Sequence, residues 1–253
     1  MSKVLVFVHG AGITSPNYYE QLLVALEQLT RTSWPYRAVR YSPECMSPDR
    51  LASLTTQKAR EKTRAERQLQ LELLRGVPRL TRRLVREQGV FDGLRLLRQT
   101  LRGIWQATRD LMNYEFCPAV RACVRGRLLT ALQTAPRGDI VLISHSLGTV
   151  ICFDLLRQRG DEFKIATWFT TGSPLGKFVR LRRRSHHAGE IAHVGAWQNL
   201  YDPTDLIAGP LAHTFRDCPV RDRPVDVGIL WGAHNYWPDP KVHRIIAGAL
   251  RRP

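Results

Sequence analysis

The sequence predicts an α/β architecture: a mostly parallel sheet of about six strands flanked by helices. Three observations predict it. Short apolar, β-branched runs such as residues 4–8 and 139–144 lack alternation, as strands buried on both faces do. These runs alternate with segments whose apolar residues recur at helical spacing, which implies helical crossovers between parallel strands. The 139–144 run also passes through a small-residue turn directly into one of those helical segments.

The elements follow in order. Residues 4–8 form the first strand and lead into His9-Gly10-Ala11-Gly12. Their five apolar residues fall short of the ~7–15 of a signal-peptide core, so a cytoplasmic protein is expected. Ser15-Pro16-Asn17 opens a helix carrying Leu22, Leu23, Leu26 and Leu29. Residues 37–41 form a second strand, ended by Pro43. From 44 to 137 the pattern is helical without a strand, with Leu69, Leu73 and Leu80, then Leu94, Leu97, Leu101 and Ile104, at helical spacing. This stretch is expected to be a basic helical cap inserted into a single domain spanning 1–253. Residues 139–144 are the next strand, and 147–157 continue as a helix with Val150, Ile151, Phe153 and Leu155. Strands are expected at 165–171, 196–201 and 225–229. Asp239-Pro240 opens a last helix through Ile245, Ile246 and Leu250, with proline at a favourable first position.

Of the 253 residues, 43% are apolar and 24% charged, which excludes a disordered, collagenous or coiled-coil chain. No run approaches the ~18–20 apolar residues of a membrane span. The formal net charge is +16, and 32 of the 38 basic residues are arginine. Residues 50–110 hold 15 basic and 6 acidic residues, more than half of the excess. A second basic run, 180–184, is expected on a loop. Such a balance raises nucleic acid, an anionic membrane or an acidic substrate as partners. No zinc-finger or RNA-binding signature accompanies it, so nucleic acid is not expected. Cap arginines could instead hold a phosphate head group at an anionic membrane surface, or form a solvated face. The five cysteines, Cys45, Cys117, Cys123, Cys152 and Cys218, show no CxxC pairing; free buried thiols are expected, without a metal site.

Ser144-His145-Ser146-Leu147-Gly148 follows a strand and opens a helix, the context of a nucleophile elbow. Ser144 and Gly148 supply the small flanking residues that the sharp turn requires. The helix start adds N–H donors and a positive dipole end beside the Ser146 oxygen.

With these residues the chain resembles the α/β-hydrolases, on their lipase and esterase side. The resemblance rests on four places between residues 4 and 240. It implies Ser146 as nucleophile and the backbone N–H groups of Ala11 and Leu147 as an oxyanion hole, with His9 structural. The family order serine, acid, histidine points to His234, in the loop Trp231-Gly232-Ala233-His234-Asn235-Tyr236-Trp237, as the base. His243 is expected on a helix surface, and His186 and His187 in solvent. The acid loop Asn199-Leu200-Tyr201-Asp202-Pro203-Thr204-Asp205 favours Asp205, with Asp202 as the alternative acid. Gly10, Gly12, His145, Ser173 and Pro174 are expected to line the pocket. The implied reaction is acyl transfer on a small-molecule or lipid ester, or a thioester, without cofactor or metal. The alternatives are a phospholipase-like enzyme peripheral to an anionic membrane, and a non-catalytic binding module.

Overall fold

The computed structural model describes residues 2–12, 15–78, 90–181, 191, 193–228 and 232–251. Leu80, Arg182, Arg183, Arg184, His186, His187 and Ile229 lie outside them. Six strands form one wholly parallel sheet: β1 (Lys3–Val8), β2 (Tyr36–Val39), β3 (Asp139–His145), β4 (Ile165–Thr171), β5 (Val194–Tyr201) and β6 (Val220–Pro224), in the order β2-β1-β3-β4-β5-β6.

Successive side chains of a strand face opposite sides of the sheet, and the core divides accordingly. Leu5, Phe7, Val141, Ile143 and Phe169 pack on one face under α1 (Glu20–Thr30) and, at the chain's end, the helix Pro240–Leu250. Val6, Val8, Leu142, Trp168 and Trp197 pack on the other face. There they meet the helices that precede and follow β3.

Between β2 and β3, the described residues hold helices and no strand: α2 (Pro48–Ala52), α3 (Thr56–Leu74), α4 (Val90–Phe116) and α5 (Pro118–Gln133). They do not all sit alike. Helix α5 buries Val120, Val124, Leu128 and Leu132 in the same cluster as Val6 and Leu142, so it belongs to the sheet's helical layer. Helices α3 and α4 pack on each other, with Gln70 Nε2 donating to Thr108 Oγ1 at 3.2 Å between them. Beyond β3 come α6 (Leu147–Arg159), α7 (Leu175–Leu181) and α8 (Pro240–Leu250), the last capped by the Asp239 carboxylate on the N–H groups of Lys241 and Val242.

Several expectations are corrected. The last described strand is Val220–Pro224; of the expected 225–229, residues 225–228 are not strand, although Val225 N still donates to Tyr201 O at 2.9 Å. As an edge strand with one pairing partner it needs no apolar run, and its charges and proline suit an edge. Ser15 to Tyr19 form turns and the helix starts at Glu20, because Tyr18 is held with its hydroxyl against the carbonyls of Phe7 and Val39. Arg180 is in helix α7, not on a loop. His243 is buried and its Nε2 lies 2.6 Å from the Trp237 carbonyl. Finally, Cys45 and Cys123, 78 residues apart, form a disulfide, while Cys117, Cys152 and Cys218 are buried thiols outside it. The fold joins the short 3₁₀ turn Glu44–Met46 to helix α5, a proximity that spacing in sequence does not reveal.

Candidate active site

The strand order reverses between β1 and β3, where β2 lies on one side and β4 on the other. Open α/β sheets bind ligands in the crevice at the carboxyl ends of the strands there. Ser146 follows β3 at that point, with φ 50° and ψ −124°. A non-glycine residue in this region is strained and must be held by its surroundings. The Ser146 N–H donates to Thr171 O at 2.9 Å, and its carbonyl accepts from Thr149 N and Oγ1 at 2.9 and 2.7 Å. Helix α6 passes so close to β1 that a Cβ on Gly148 would lie 2.4 Å from His9 O. Ser144 occupies the other small position, fully buried, accepting from Trp168 Nε1 at 2.8 Å.

The structure brings Ser146, His234 and Asp205 together. His234 Nε2 lies 2.9 Å from Ser146 Oγ, and His234 Nδ1 lies 2.8 Å from Asp205 Oδ2. A carboxylate only accepts, so Nδ1 carries the proton and Nε2 is left to accept from the serine. Asp205 Oδ2 also accepts from the Tyr236 hydroxyl at 2.9 Å, and Oδ1 from Ile207 N at 2.8 Å. Burial alone would raise the Asp205 carboxyl; the facing His234 and these hydrogen bonds outweigh it and hold it below the usual carboxylate value. Asp202 does not join them. Its Oδ1 accepts from Thr204 N and Oγ1 and its Oδ2 from Val227 N, so its carboxylate ties local backbone together.

On the β1 side, His9 is buried and stacked on Tyr41, and burial pulls its ring down to about 4. Its Nε2 accepts from Tyr41 N at 3.3 Å while Nδ1–H donates to Gly10 O at 2.6 Å. The Tyr41 hydroxyl also meets Gly10 O at 2.7 Å. Gly12 N donates to the Asp110 carboxylate at 2.8 Å. The Ala11 N–H has no protein acceptor among the described residues. Leu147, as the first residue of its helix, has no intrahelical acceptor either.

Two spaces meet Ser146. A cleft of about 420 Å³ is lined by Ala11, His145 and His234 on the core side and by Gln99, Gly103 and Gln106 of α4 above. A narrow apolar slot runs the other way, past Leu69, Leu111, Pro174 and Phe178. Pro174 borders the slot and His145 the cleft. Gly10 packs behind Ser146, within 2.8 Å of its Cβ for an added methyl. Ser173 does not line it: it is buried and bonds to Thr149 Oγ1 at 2.8 Å and Leu175 N at 3.3 Å. Gly12 opens onto a neighbouring cleft between α3 and α4, drawn there by Asp110. The half-buried His145 ring is pulled down to about 3 by desolvation and its His234 neighbour, and its Nε2 lies 2.9 Å from His234 O.

Sequence reasoning missed three contributors. Tyr236 was in view within the His234 loop, but nothing in its spacing marked it. Lys177 of α7 donates to Ile207 O and Ala208 O at 3.0 and 2.6 Å, pinning the acid loop; burial pulls it down to about 8. Asp110 of α4 is 98 residues from the glycine it holds. No cluster of His, Cys, Asp or Glu among the described residues could hold a metal ion.

The parallel sheet, the strained serine turn after β3 and the histidine loop beyond the last strand give the chain the α/β-hydrolase fold. No protein-family model matches it. A probable mitochondrial phospholipase of Schizosaccharomyces pombe is 40% identical over 52 residues. That stretch is 17% of this chain and only 7% of the yeast protein. Among solved structures, mouse alpha/beta hydrolase domain-containing protein 10 is 12% identical, with a TM-score of 0.49 over 98% of this chain and 87% of that one. The pyrethroid hydrolase PytH is 9% identical, with a TM-score of 0.49 over 100% and 99% of the two chains.

Proposed function

We propose that the protein is a serine hydrolase that cleaves a carboxylic ester or thioester through an acyl-enzyme. The observation that carries this reading is the continuous hydrogen-bonded chain from Ser146 through His234 to Asp205. Ser146 Oγ attacks the acyl carbon as His234 Nε2 takes its proton. The Ala11 and Leu147 N–H groups receive the oxyanion, an interaction that strengthens as charge develops. His234 then protonates the leaving alcohol or thiol, and water resolves the acyl-enzyme by the same path. The narrow apolar slot fits a short acyl group, and the larger cleft, with Gln99, Gln106 and Asn235, fits a polar leaving group. An ester panel of graded acyl length tests this: turnover is expected for short chains and is lost in Ser146→Ala. Turnover that persists in Ser146→Ala contradicts it.

One observation favours a membrane-associated version of the same chemistry. Arg98, Arg102, Trp105 and Arg109 form an exposed stripe on α4, with Trp105 54% exposed. Gln106 belongs both to this groove and to the cleft over Ser146. Arginine beside exposed tryptophan suits an anionic lipid interface, and the short likeness to a probable phospholipase agrees with a lipid ester. Co-sedimentation with phosphatidylglycerol vesicles, lost in Trp105→Ala/Arg102→Ala, tests it; equal sedimentation with neutral vesicles counts against it. No described helix is long and apolar enough to cross a membrane.

A further inference from the structure

The hydrogen bonds around Ala11 have a consequence for the cap helix α4. In a trans peptide the N–H points away from the preceding carbonyl. Gly10 O is held by the Tyr41 hydroxyl at 2.7 Å and by His9 Nδ1 at 2.6 Å, so the Ala11 N–H is aimed to the opposite side. The next peptide plane carries the Gly12 N–H, which Asp110 Oδ2 accepts at 2.8 Å. Both planes flanking Ala11 are therefore pinned, one from the sheet core and one from α4.

Asp110 is a costly residue for a helix that only has to pack. It is 5% exposed, and burial raises its carboxyl. A leucine would cover the same ground without desolvating an acid. The carboxylate is used by two donors, Gly12 N and Gln106 Nε2 at 2.9 Å. Gln106 in turn lines the cleft that contains Ser146 and His234.

We infer that Asp110 is a positioning residue: through Gly12 it sets the Ala11 N–H for the oxyanion, so that the hole is complete only when α4 is seated. Asp110 touches no reacting atom; it acts through the loop. The inference rests on the serine-hydrolase reading, and the test keeps the two apart.

The experiment compares wild type, Asp110→Asn and Asp110→Ala on a short-chain p-nitrophenyl ester, with kcat expressed per serine titrated to end point by a fluorophosphonate. Affinity for an alkyl trifluoromethyl ketone, which forms a tetrahedral adduct with a reactive serine, is the second readout. The Asn amide oxygen still accepts from Gly12, whereas Ala cannot. Asp110→Ala is expected to lower kcat about 10²-fold with KM within about threefold, and to weaken the ketone in proportion, while Asp110→Asn stays within about fivefold. Counting titrated serines removes any unfolded fraction from the comparison. Wild-type kcat in Asp110→Ala overturns the inference, as does an Asp110→Asn that falls as far as Asp110→Ala. A wild-type protein that neither turns over esters nor takes the label removes the hydrolase reading itself.

Discussion

Asp202 and Asp205 stand three residues apart on one loop, both buried, and differ in what they touch. Asp205 faces a histidine and a tyrosine hydroxyl; Asp202 faces backbone N–H groups and the Thr204 hydroxyl. Asp205→Asn offers His234 the wrong hydrogen-bonding pattern and should lower kcat by about 10⁴ with little change in fold. Asp202→Asn keeps turnover within about tenfold but loses an acceptor for the half-buried Thr204 or Val227 N–H, lowering stability by about 1 kcal/mol. Steady-state kinetics and urea unfolding of both variants check this; the reverse assignment would make Asp202 the acid. His9 carries a different signature. Its folded pKa is about 4 against an ordinary 6.5. Between those values the unfolded chain binds a proton that the folded chain refuses, so acidification through this window costs about 1.4 kcal/mol per pH unit. His9→Asn, whose amide can still accept from Tyr41 N, should flatten the slope of unfolding free energy from pH 6.5 to 4 by that amount. Asp110 and Asp154, raised by burial, act in the opposite sense but cancel in the difference between the proteins. Equal slopes for both proteins would contradict the neutral buried ring.

At the scale of elements, the serine turn depends on two close approaches. Gly148 lets α6 pass β1, and Gly172, at φ 61°, leaves room for the His234 and Tyr236 rings, which an added Cβ would meet at 3.0 and 2.8 Å. Gly148→Ala would meet backbone carbonyls that cannot rotate aside, and should destabilise the fold by about 3 kcal/mol; an unchanged melting temperature would contradict this. These turns were legible in the sequence because their chemistry is local: a strand, a small-residue turn and a helix are consecutive. β6 was not legible, because an edge strand of Val, Arg, Asp, Arg and Pro carries no apolar pattern, whereas the valines at 225 and 227 just beyond it do. Tyr236, Lys177 and Asp110 escaped for another reason. Each acts across 30 to 98 residues of chain, through contacts that only the folded molecule creates.

At the scale of the whole molecule, the switch between β1 and β3 gathers the serine turn and the loop of residues 9–12 at one end of the sheet. Helix α4 roofs them while presenting its arginine and tryptophan stripe outward. The stripe faces away from the Ser146-His234-Asp205 chain, which lies beneath the roof. The Cys45–Cys123 disulfide closes a loop of 78 residues that includes α2, α3 and α4. Chain-entropy reasoning for a loop of that length predicts that Cys45→Ala/Cys123→Ala loses about 4 kcal/mol in urea unfolding; no loss would mean the cross-link constrains nothing in the unfolded chain. The central claim, a nucleophilic Ser146 activated by His234, is tested most directly by mapping a fluorophosphonate adduct by peptide mass. The account predicts one adduct per chain, on Ser146, absent in Ser146→Ala and strongly slowed in His234→Ala. An adduct on any other residue, or labelling of the wild type no faster than of His234→Ala, would contradict it.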